Sequence, residues 1–201
     1  MSRLGPPPPR LSAKPRIVSL SPGRVLVRFY QPRRGDWSTR RRYGPLADMR
    51  FDHHPPPCRL HERHSVWYAA ASLVGAVAEA FGRQDGIDRA ADLRVVKARV
   101  RGELRVVDLV GVAARAIGLT QEIAATTDYA LCQEWARAIY HQLPDVHGIR
   151  WRGRQSGSLC VVLQDRAEMS GLDGESWAIV DPAVWPRIAR AARECRLTIF
   201  G

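Results

Sequence analysis

The sequence WYAAASLVGAVAE, residues 67–79, combines a short strand with the first turns of a helix. The segment 65–70, SVWYAA, has strand character, and Ser72 is of the type that caps helix N-termini. The apolar residues that follow recur at helical spacing: Leu73, Ala76, Val77, Ala80 and Phe81. At about 100° per residue, Glu79 falls well outside this apolar stripe and faces either water or a cleft. The pattern predicts a strand that leads directly into a helix.

Further strands and helices are predicted on both sides of this unit. Strand patterns cover residues 24–30, 93–100, 104–110, 148–151, 159–163 and 197–200. Helical patterns cover residues 110–117, 129–142 and 184–195, and Asp128 is expected to cap the second of them. Strands both alternate with helices and follow one another directly. This order favours an α+β fold with a mixed, largely antiparallel sheet and flanking helices.

The composition indicates a single folded domain. With 201 residues, of which 45% are hydrophobic, the chain can bury one substantial core. Residues 1–16 contain four consecutive prolines, so we expect a flexible segment there and the folded domain at 17–201. This N-terminus lacks the apolar run of a secretory signal, and no segment is long enough to cross a bilayer. We therefore expect a cytoplasmic protein without membrane contact.

The charge and the cysteines restrict the function only loosely. Thirty-one Lys and Arg residues against twenty Asp and Glu residues give a net charge of +11, most of it from Arg. Arginine suits contacts to phosphate or carboxylate, which favours an anionic partner. A nucleic-acid-binding protein, a nucleotide-binding enzyme or a genome that favours Arg would give the same charge. The four cysteines are far apart without a C-x-x-C pair, and we interpret them as reduced thiols.

Four segments together are similar to the RES family, toxin-like proteins named for an Arg, a Glu and a Ser. The segments are RFD at 50–52, WYAAASLVGAVAE at 67–79, DYALCQEWARAIY at 128–140 and HGIRWRGRQSGSLCVVL at 147–163. The order and spacing of the four motifs together carry the resemblance. The similarity spans roughly residues 20–165.

The resemblance implies an ADP-ribosyltransferase-like fold that cleaves the nicotinamide–ribose bond of NAD. NAD is then the substrate, no cofactor is bound permanently, and water, phosphate or a protein side chain accepts the ADP-ribosyl group. Members are usually encoded beside an antitoxin with a helix-turn-helix domain, which implies such a partner. The matched positions assign catalytic roles to Arg50, Tyr68 and Glu79, and NAD-binding roles to Arg50, Tyr68 and Ser156.

These residue types fit that chemistry. Breaking the bond builds positive charge on the ribose, as in glycoside hydrolysis, and a carboxylate such as Glu79 stabilises it. One such preorganised group is worth about 3 to 4 kcal/mol. Arg50 suits the diphosphate and Tyr68 offers a flat face to nicotinamide or ribose.

The chain departs from the family pattern at two positions. Met49 stands where Gly commonly precedes the Arg, and Gly153, followed by Arg154, stands where the Ser-Arg pair is expected. Three interpretations stay open: Ser156 or Ser158 supplies the hydroxyl, the site works without it, or activity is weakened.

Other candidate sites have less support. His53, His54, Cys58, His61 and His64 crowd one stretch, and imidazole and thiolate are good zinc ligands. The intervening prolines and arginines repeat no zinc-finger spacing, so we assign no metal site and interpret the stretch as a polar loop at the border of the cleft. Trp135 is expected in the core, and the role of Gln133 is open.

Two other functions remain as alternatives to NAD cleavage: a protein ADP-ribosyltransferase, and a non-catalytic basic protein that binds nucleic acid or a protein partner. No helix-turn-helix, zinc-finger or RRM-like motif supports nucleic-acid binding.

Overall fold

The computed structural model describes residues 4–11, 13–84, 86–120 and 122–201. The strands within these residues are β1 (Ile17–Leu20), β2 (Val25–Tyr30), β3 (Tyr43–Gly44), β4 (Arg59–Leu60), β5 (Val66–Ala70), β6 (Gly86–Asp88), β7 (Arg94–Val100), β8 (Leu104–Asp108), β9 (Gly148–Arg152), β10 (Leu159–Gln164), β11 (Leu172–Ala178) and β12 (Thr198–Phe200). The α-helices are α1 (Leu73–Phe81), α2 (Glu122–Ala125), α3 (Tyr129–Gln142) and α4 (Trp185–Glu194). Short 3-10 helices cover Pro32–Arg34, Gly111–Ile117 and Met169–Gly171.

Eight strands form one sheet in the order β1-β8-β9-β10-β5-β2-β7-β11. Neighbouring strands run antiparallel except β8 and β9, which are parallel. Arg150 of β9 holds the opposite Asp108 of β8 through two hydrogen bonds of 2.9 and 3.0 Å, which ties the parallel pair together. The prediction of a single α+β domain with a largely antiparallel sheet is confirmed.

The sheet curls, so each of its faces has its own core. The helical face packs α1 against β2, β5 and α4, with Val77, Phe81 and Ile188 among the buried residues. On the other face, Leu20 of β1 and Leu26 of β2 belong to one buried cluster although four strands separate them in the sheet. Burying both faces removes a large apolar area from water and stabilises the curl.

Capping side chains begin the two helices that border the site, as predicted. Ser72 Oγ accepts a hydrogen bond of 3.0 Å from Gly75 N at the start of α1, and Asp128 Oδ1 accepts one of 3.0 Å from Leu131 N at the start of α3. Each bond satisfies a backbone donor that has no partner within its helix. The register of α1 is therefore fixed from its first turn, and with it the direction of Glu79.

The N-terminal segment lies along α3 in the part that the structure describes. Trp135 Nε1 donates to Gly5 O at 2.9 Å, and Leu11 N donates to Gln142 Oε1 at 2.8 Å. Trp135 itself is buried in the core, as expected. The division into a flexible segment 1–16 and a domain 17–201 stays a prediction, and residues 1–3 and 12 lie outside the described residues. Among the described helices, none has the length and apolar character needed to span a membrane.

Candidate active site

Glu79 lies in the last turn of α1 and points its carboxyl group at Gly153, in the loop between β9 and β10. A Cβ atom at position 153 would overlap the Glu79 carboxylate and come within 3.0 Å of Cys160 Sγ. The missing side chain of Gly153 therefore makes the recess that holds this carboxylate. The residue at the expected serine position and the Glu79 carboxylate are direct neighbours.

The surroundings of the recess shift the pKa of Glu79. The residue as a whole is exposed, whereas its carboxyl group is crowded by protein atoms on the side of Gly153 and Cys160. This partial burial raises the pKa of Glu79, and attraction to Arg50, contact with the Cys160 thiol and attraction to Arg83 act in the opposite direction. The Glu79 carboxylate thus binds a proton more readily than an ordinary glutamate does, and two arginines are close enough to attract it.

Arg50 joins its loop to the chain around α3. Its Nη1 donates to Ile123 O at 3.0 Å and to Thr126 O at 2.7 Å, and it lies 3.7 Å from Cys132 Sγ. Its Nη2 lies 3.5 Å from the Tyr129 hydroxyl. One side of this guanidinium is thus occupied by backbone carbonyl groups, so Arg50 has a structural role whether or not it also binds a ligand.

The two arginines that attract Glu79 both lie against the aromatic ring of Tyr129. The guanidinium carbon of Arg50 lies 4.7 Å from the centre of this ring and that of Arg83 lies 4.5 Å from it, both within cation–π range. Arg83 is exposed and lies in the turn that follows α1, four residues after Glu79. Sequence reasoning missed Arg83 although this spacing was visible.

Gln133 holds the loop that precedes Arg50. Its side-chain nitrogen donates to Leu46 O at 2.7 Å and to Met49 O at 2.9 Å, and the residue is buried. The question left open by the sequence is therefore answered: Gln133 of α3 positions the segment that delivers Arg50.

Tyr68 lies in β5 with its ring 6.3 Å from that of Trp151, at a T-shaped angle of 79°. The residue as a whole is partly exposed, but the hydroxyl is buried and makes no hydrogen bond to the residues that the structure describes. Burial raises the pKa of Tyr68 well above its usual value, and the negative charge of Asp52 adds to this effect. Tyr68 is therefore neutral and directed towards the loop that carries Arg50.

The loop from Gly153 to Ser158 closes on itself. Gly153 N donates to Ser158 O at 2.8 Å, and Gly157 N donates to Gly153 O at 2.9 Å. Ser156 Oγ accepts a hydrogen bond of 3.2 Å from Ser158 N, while Ser158 Oγ accepts one of 3.1 Å from Ser72 Oγ. Ser158 is thus tied to the start of α1, and Ser156 is half-buried within the loop that makes the recess.

The structure brings Arg50 and Glu79 into one electrostatic group, together with the unpredicted Arg83, Tyr129 and Cys160. Tyr68 connects to this group through Trp151, which lies opposite Cys160 in the register of β9 and β10.

The histidine-rich stretch is largely irregular, as expected of a loop, but most of its histidines are buried. His53, His54 and His61 are buried, and His64 is partly so. The imidazole of His53 lies 2.8 Å from the Asp165 carboxylate and stacks on Tyr140 with ring centres 4.3 Å apart. The loop folds inward because Asp165, which is remote in sequence, offers a partner for the buried imidazole.

A comparison of folds and a family model place the chain among known proteins. A chain of the M. tuberculosis MbcT–MbcA toxin–antitoxin complex is similar in structure, with a TM-score of 0.61 and 17% identity, over 85% of this chain and 92% of that one. At this identity the likeness shows the fold alone. No curated protein matches the chain in sequence. The model of the RES domain matches residues 24–181, and the protein therefore belongs to the RES family.

Replacing Arg50 by Ala is expected to destabilise the fold. The change leaves the carbonyl groups of Ile123 and Thr126 without their charged donor, and we expect a loss of about 2 to 4 kcal/mol in the free energy of unfolding. Urea denaturation measures this loss. The matched control is Arg154→Ala, an exposed position where the change should stay within about 0.5 kcal/mol. Equal stability of the two variants would contradict the structural role of Arg50.

Proposed function

We propose that this RES-domain protein is an NAD-consuming enzyme that cleaves the nicotinamide–ribose bond, as a glycohydrolase or a phosphorylase. The observation that carries the proposal is the Glu79 carboxylate in the recess at Gly153, within reach of Arg50 and Arg83. A carboxylate beside two arginines suits a substrate that develops positive charge at one end and carries phosphates at the other.

Glu79 is the catalytic residue of this proposal. As the bond to nicotinamide breaks, the ribose gains oxocarbenium character, and an adjacent carboxylate lowers the energy of that state. The recess holds the carboxylate beside Gly153 and Cys160 before substrate arrives, so little reorganisation is needed during the reaction. Water or phosphate then accepts the ADP-ribosyl group.

The two arginines contribute unequally to binding of the diphosphate. Arg83 is exposed, whereas Nη1 of Arg50 is occupied by Ile123 O and Thr126 O. Arg83 therefore supplies the stronger contact to the diphosphate. Arg50 contributes its positive charge and the guanidinium nitrogens that are not bonded to the backbone. Tyr68 offers its ring to nicotinamide or ribose. The Ser156 hydroxyl accepts a bond from Ser158 N and keeps its hydrogen for a ribose oxygen.

The partner in this proposal is an antitoxin. The similar fold was solved in a toxin–antitoxin complex, and the net charge of +11 suits an acidic protein surface. An antitoxin with a helix-turn-helix domain that blocks access to Glu79 would control a cytoplasmic toxin of this kind.

Incubation of purified protein with NAD, with and without phosphate, tests the proposal through the release of nicotinamide. We expect release by the native protein and a loss of at least about 100-fold in Glu79→Gln, because an amide cannot neutralise the developing charge. Glu175→Gln, at an exposed position on β11, is the matched control and should keep full activity.

Different outcomes separate the alternatives. ADP-ribose attached to protein would identify a transferase instead. NAD binding without any nicotinamide release, in a folded protein, would refute the enzymatic proposal. A steep loss of nucleic-acid affinity with salt, without NAD binding, would favour the nucleic-acid-binding alternative.

The pH profile tests the role of the ionised Glu79. Because burial raises its pKa, activity should fall at a higher pH than it would for an ordinary glutamate as the solution is made more acidic. Arg83→Ala removes a positive charge that lowers this pKa, so the acid limb of kcat should shift to higher pH. Arg187→Ala, at an exposed position of α4, is the control. An acid limb that stays in place in Arg83→Ala would contradict the assignment.

Substitutions at Gly153 test the recess. Gly153→Ala adds a Cβ that must displace the Glu79 carboxylate, and we expect activity to fall by about tenfold or more with little change in stability. Gly153→Ser adds the same atom together with the hydroxyl of the family pattern. Recovery in Gly153→Ser relative to Gly153→Ala would mean that the hydroxyl takes part, and unchanged activity in both variants would contradict the recess.

A further inference from the structure

We infer that His53, His64 and Asp165 form a binding site for one divalent transition-metal ion of the zinc class. This site lies outside the residues proposed to act on NAD, and the inference does not depend on that function. The site joins the loop after Arg50 to Asp165, the residue that follows β10.

The ligand atoms are already close. One ring nitrogen from each histidine and one carboxylate oxygen of Asp165 lie within 4.8 Å of one another. Zinc binds nitrogen and oxygen at about 2.0 to 2.2 Å, so the ligand atoms of one tetrahedral ion lie roughly 3.3 to 3.5 Å apart. Side-chain movements on the order of 1 Å close the difference. Two imidazoles and one carboxylate are the three-ligand set of many zinc sites that keep a position for water.

Both histidines have a buried nitrogen without a partner. His53 Nδ1 and His64 Nδ1 are buried and make no hydrogen bond to the residues that the structure describes. His53 is 1% exposed, so bulk water does not reach this nitrogen. Buried polar atoms are normally paired, and a second unpaired imidazole nitrogen at the same place needs an explanation. A bound ion supplies one for each Nδ1 atom that it binds, and it fixes the ring of that histidine.

The surroundings orient the proposed ligands. Tyr140 donates a hydrogen bond of 2.8 Å to Asp165 Oδ2, which leaves Oδ1 directed at His53 Nε2, 2.8 Å away. His54 Nε2 bonds the carbonyl oxygen of His64 at 3.0 Å and so fixes the backbone of that ligand. Such outer contacts commonly orient the ligands of metal sites.

The other two histidines of the stretch do not belong to this group of neighbouring ligand atoms. His54 pairs through Nδ1 with Asp52 and through Nε2 with the His64 carbonyl, so both nitrogens are occupied. His61 Nε2 bonds Gly44 O at 3.1 Å. The third ligand comes instead from Asp165, about a hundred residues further along the chain. The spacing of the histidines alone therefore could not indicate the site.

The donor atoms of the site favour a transition metal over calcium or magnesium. Arg166 lies with its guanidinium carbon 3.7 Å from the centre of the Tyr140 ring, and Arg40 donates to Gln164 O at 2.9 Å, so two cations border the single carboxylate. Calcium and magnesium depend on several oxygen ligands. Zinc is held well by imidazole.

Isothermal titration of tag-free, chelator-treated protein with Zn²⁺ tests the site. We expect one ion per chain, no comparable binding of Mg²⁺ or Ca²⁺, and a rise in Tm on the order of 5 °C at saturating zinc. His64→Ala removes a partly exposed ligand and Asp165→Asn keeps the shape of the third, and both should weaken zinc binding by about tenfold or more. Circular dichroism verifies that the variants are folded.

Two controls separate the site from accidental binding. His147→Gln removes a histidine that bonds Arg105 N instead, and Cys58→Ser removes the exposed thiol of the same loop. Both should bind zinc as the native protein does. Absence of zinc binding by the native protein, or equal affinity in His64→Ala and the native protein, would overturn the proposal. Loss of binding in Cys58→Ser alone would assign the metal to the thiol and overturn it as well.

Discussion

The candidate site depends on the contact between the Glu79 carboxylate and the bare backbone of Gly153. The contact exists because three elements meet there: α1 presents Glu79 in its last turn, the loop after β9 brings Gly153, and β10 contributes Cys160. Any side chain at position 153 would occupy the space of the carboxylate. The crowding that raises the pKa of Glu79 and the attraction of the two arginines both follow from this placement.

A second set of contacts holds the cationic side of the site. Gln133 fixes the chain just before Arg50, and Arg50 fixes the backbone before α3. The loop and α3 therefore hold each other. Three residues after Arg50 the chain enters the histidine cluster, where His53 is tied to Asp165 at the end of β10. The stretch from Arg50 to His64 is therefore anchored at both of these points.

Much of this fold follows from local patterns in the sequence. The strand at 66–70, the helix Leu73–Phe81 with its Ser72 cap, and α3 with its Asp128 cap all lie where apolar periodicity and capping residues predict them. The strands that the pattern missed include β1 and β11, both at the edges of the main sheet, and the sequence of β11, LDGESWA, lacks a regular apolar alternation. It also could not give the strand order, since β7 and β8 are consecutive in sequence but do not pair.

The site was only partly visible in the sequence, because its contacts are between distant residues. The family pattern supplied Arg50, Tyr68 and Glu79, but the tie of Arg50 to backbone carbonyls and the burial of the Tyr68 hydroxyl depend on packing. The role of Gly153 was visible only as a missing serine. That the missing side chain leaves room for Glu79 required the structure.

A crystal structure with a carbocyclic NAD analogue, which keeps the shape of NAD but resists cleavage, tests the central claim most directly. We predict that the carbocycle that replaces the nicotinamide ribose lies within about 3.2 Å of the Glu79 carboxylate. We also predict that the diphosphate contacts Arg83. An analogue bound away from α1, with no ring atom or hydroxyl within hydrogen-bonding distance of Glu79, would contradict it.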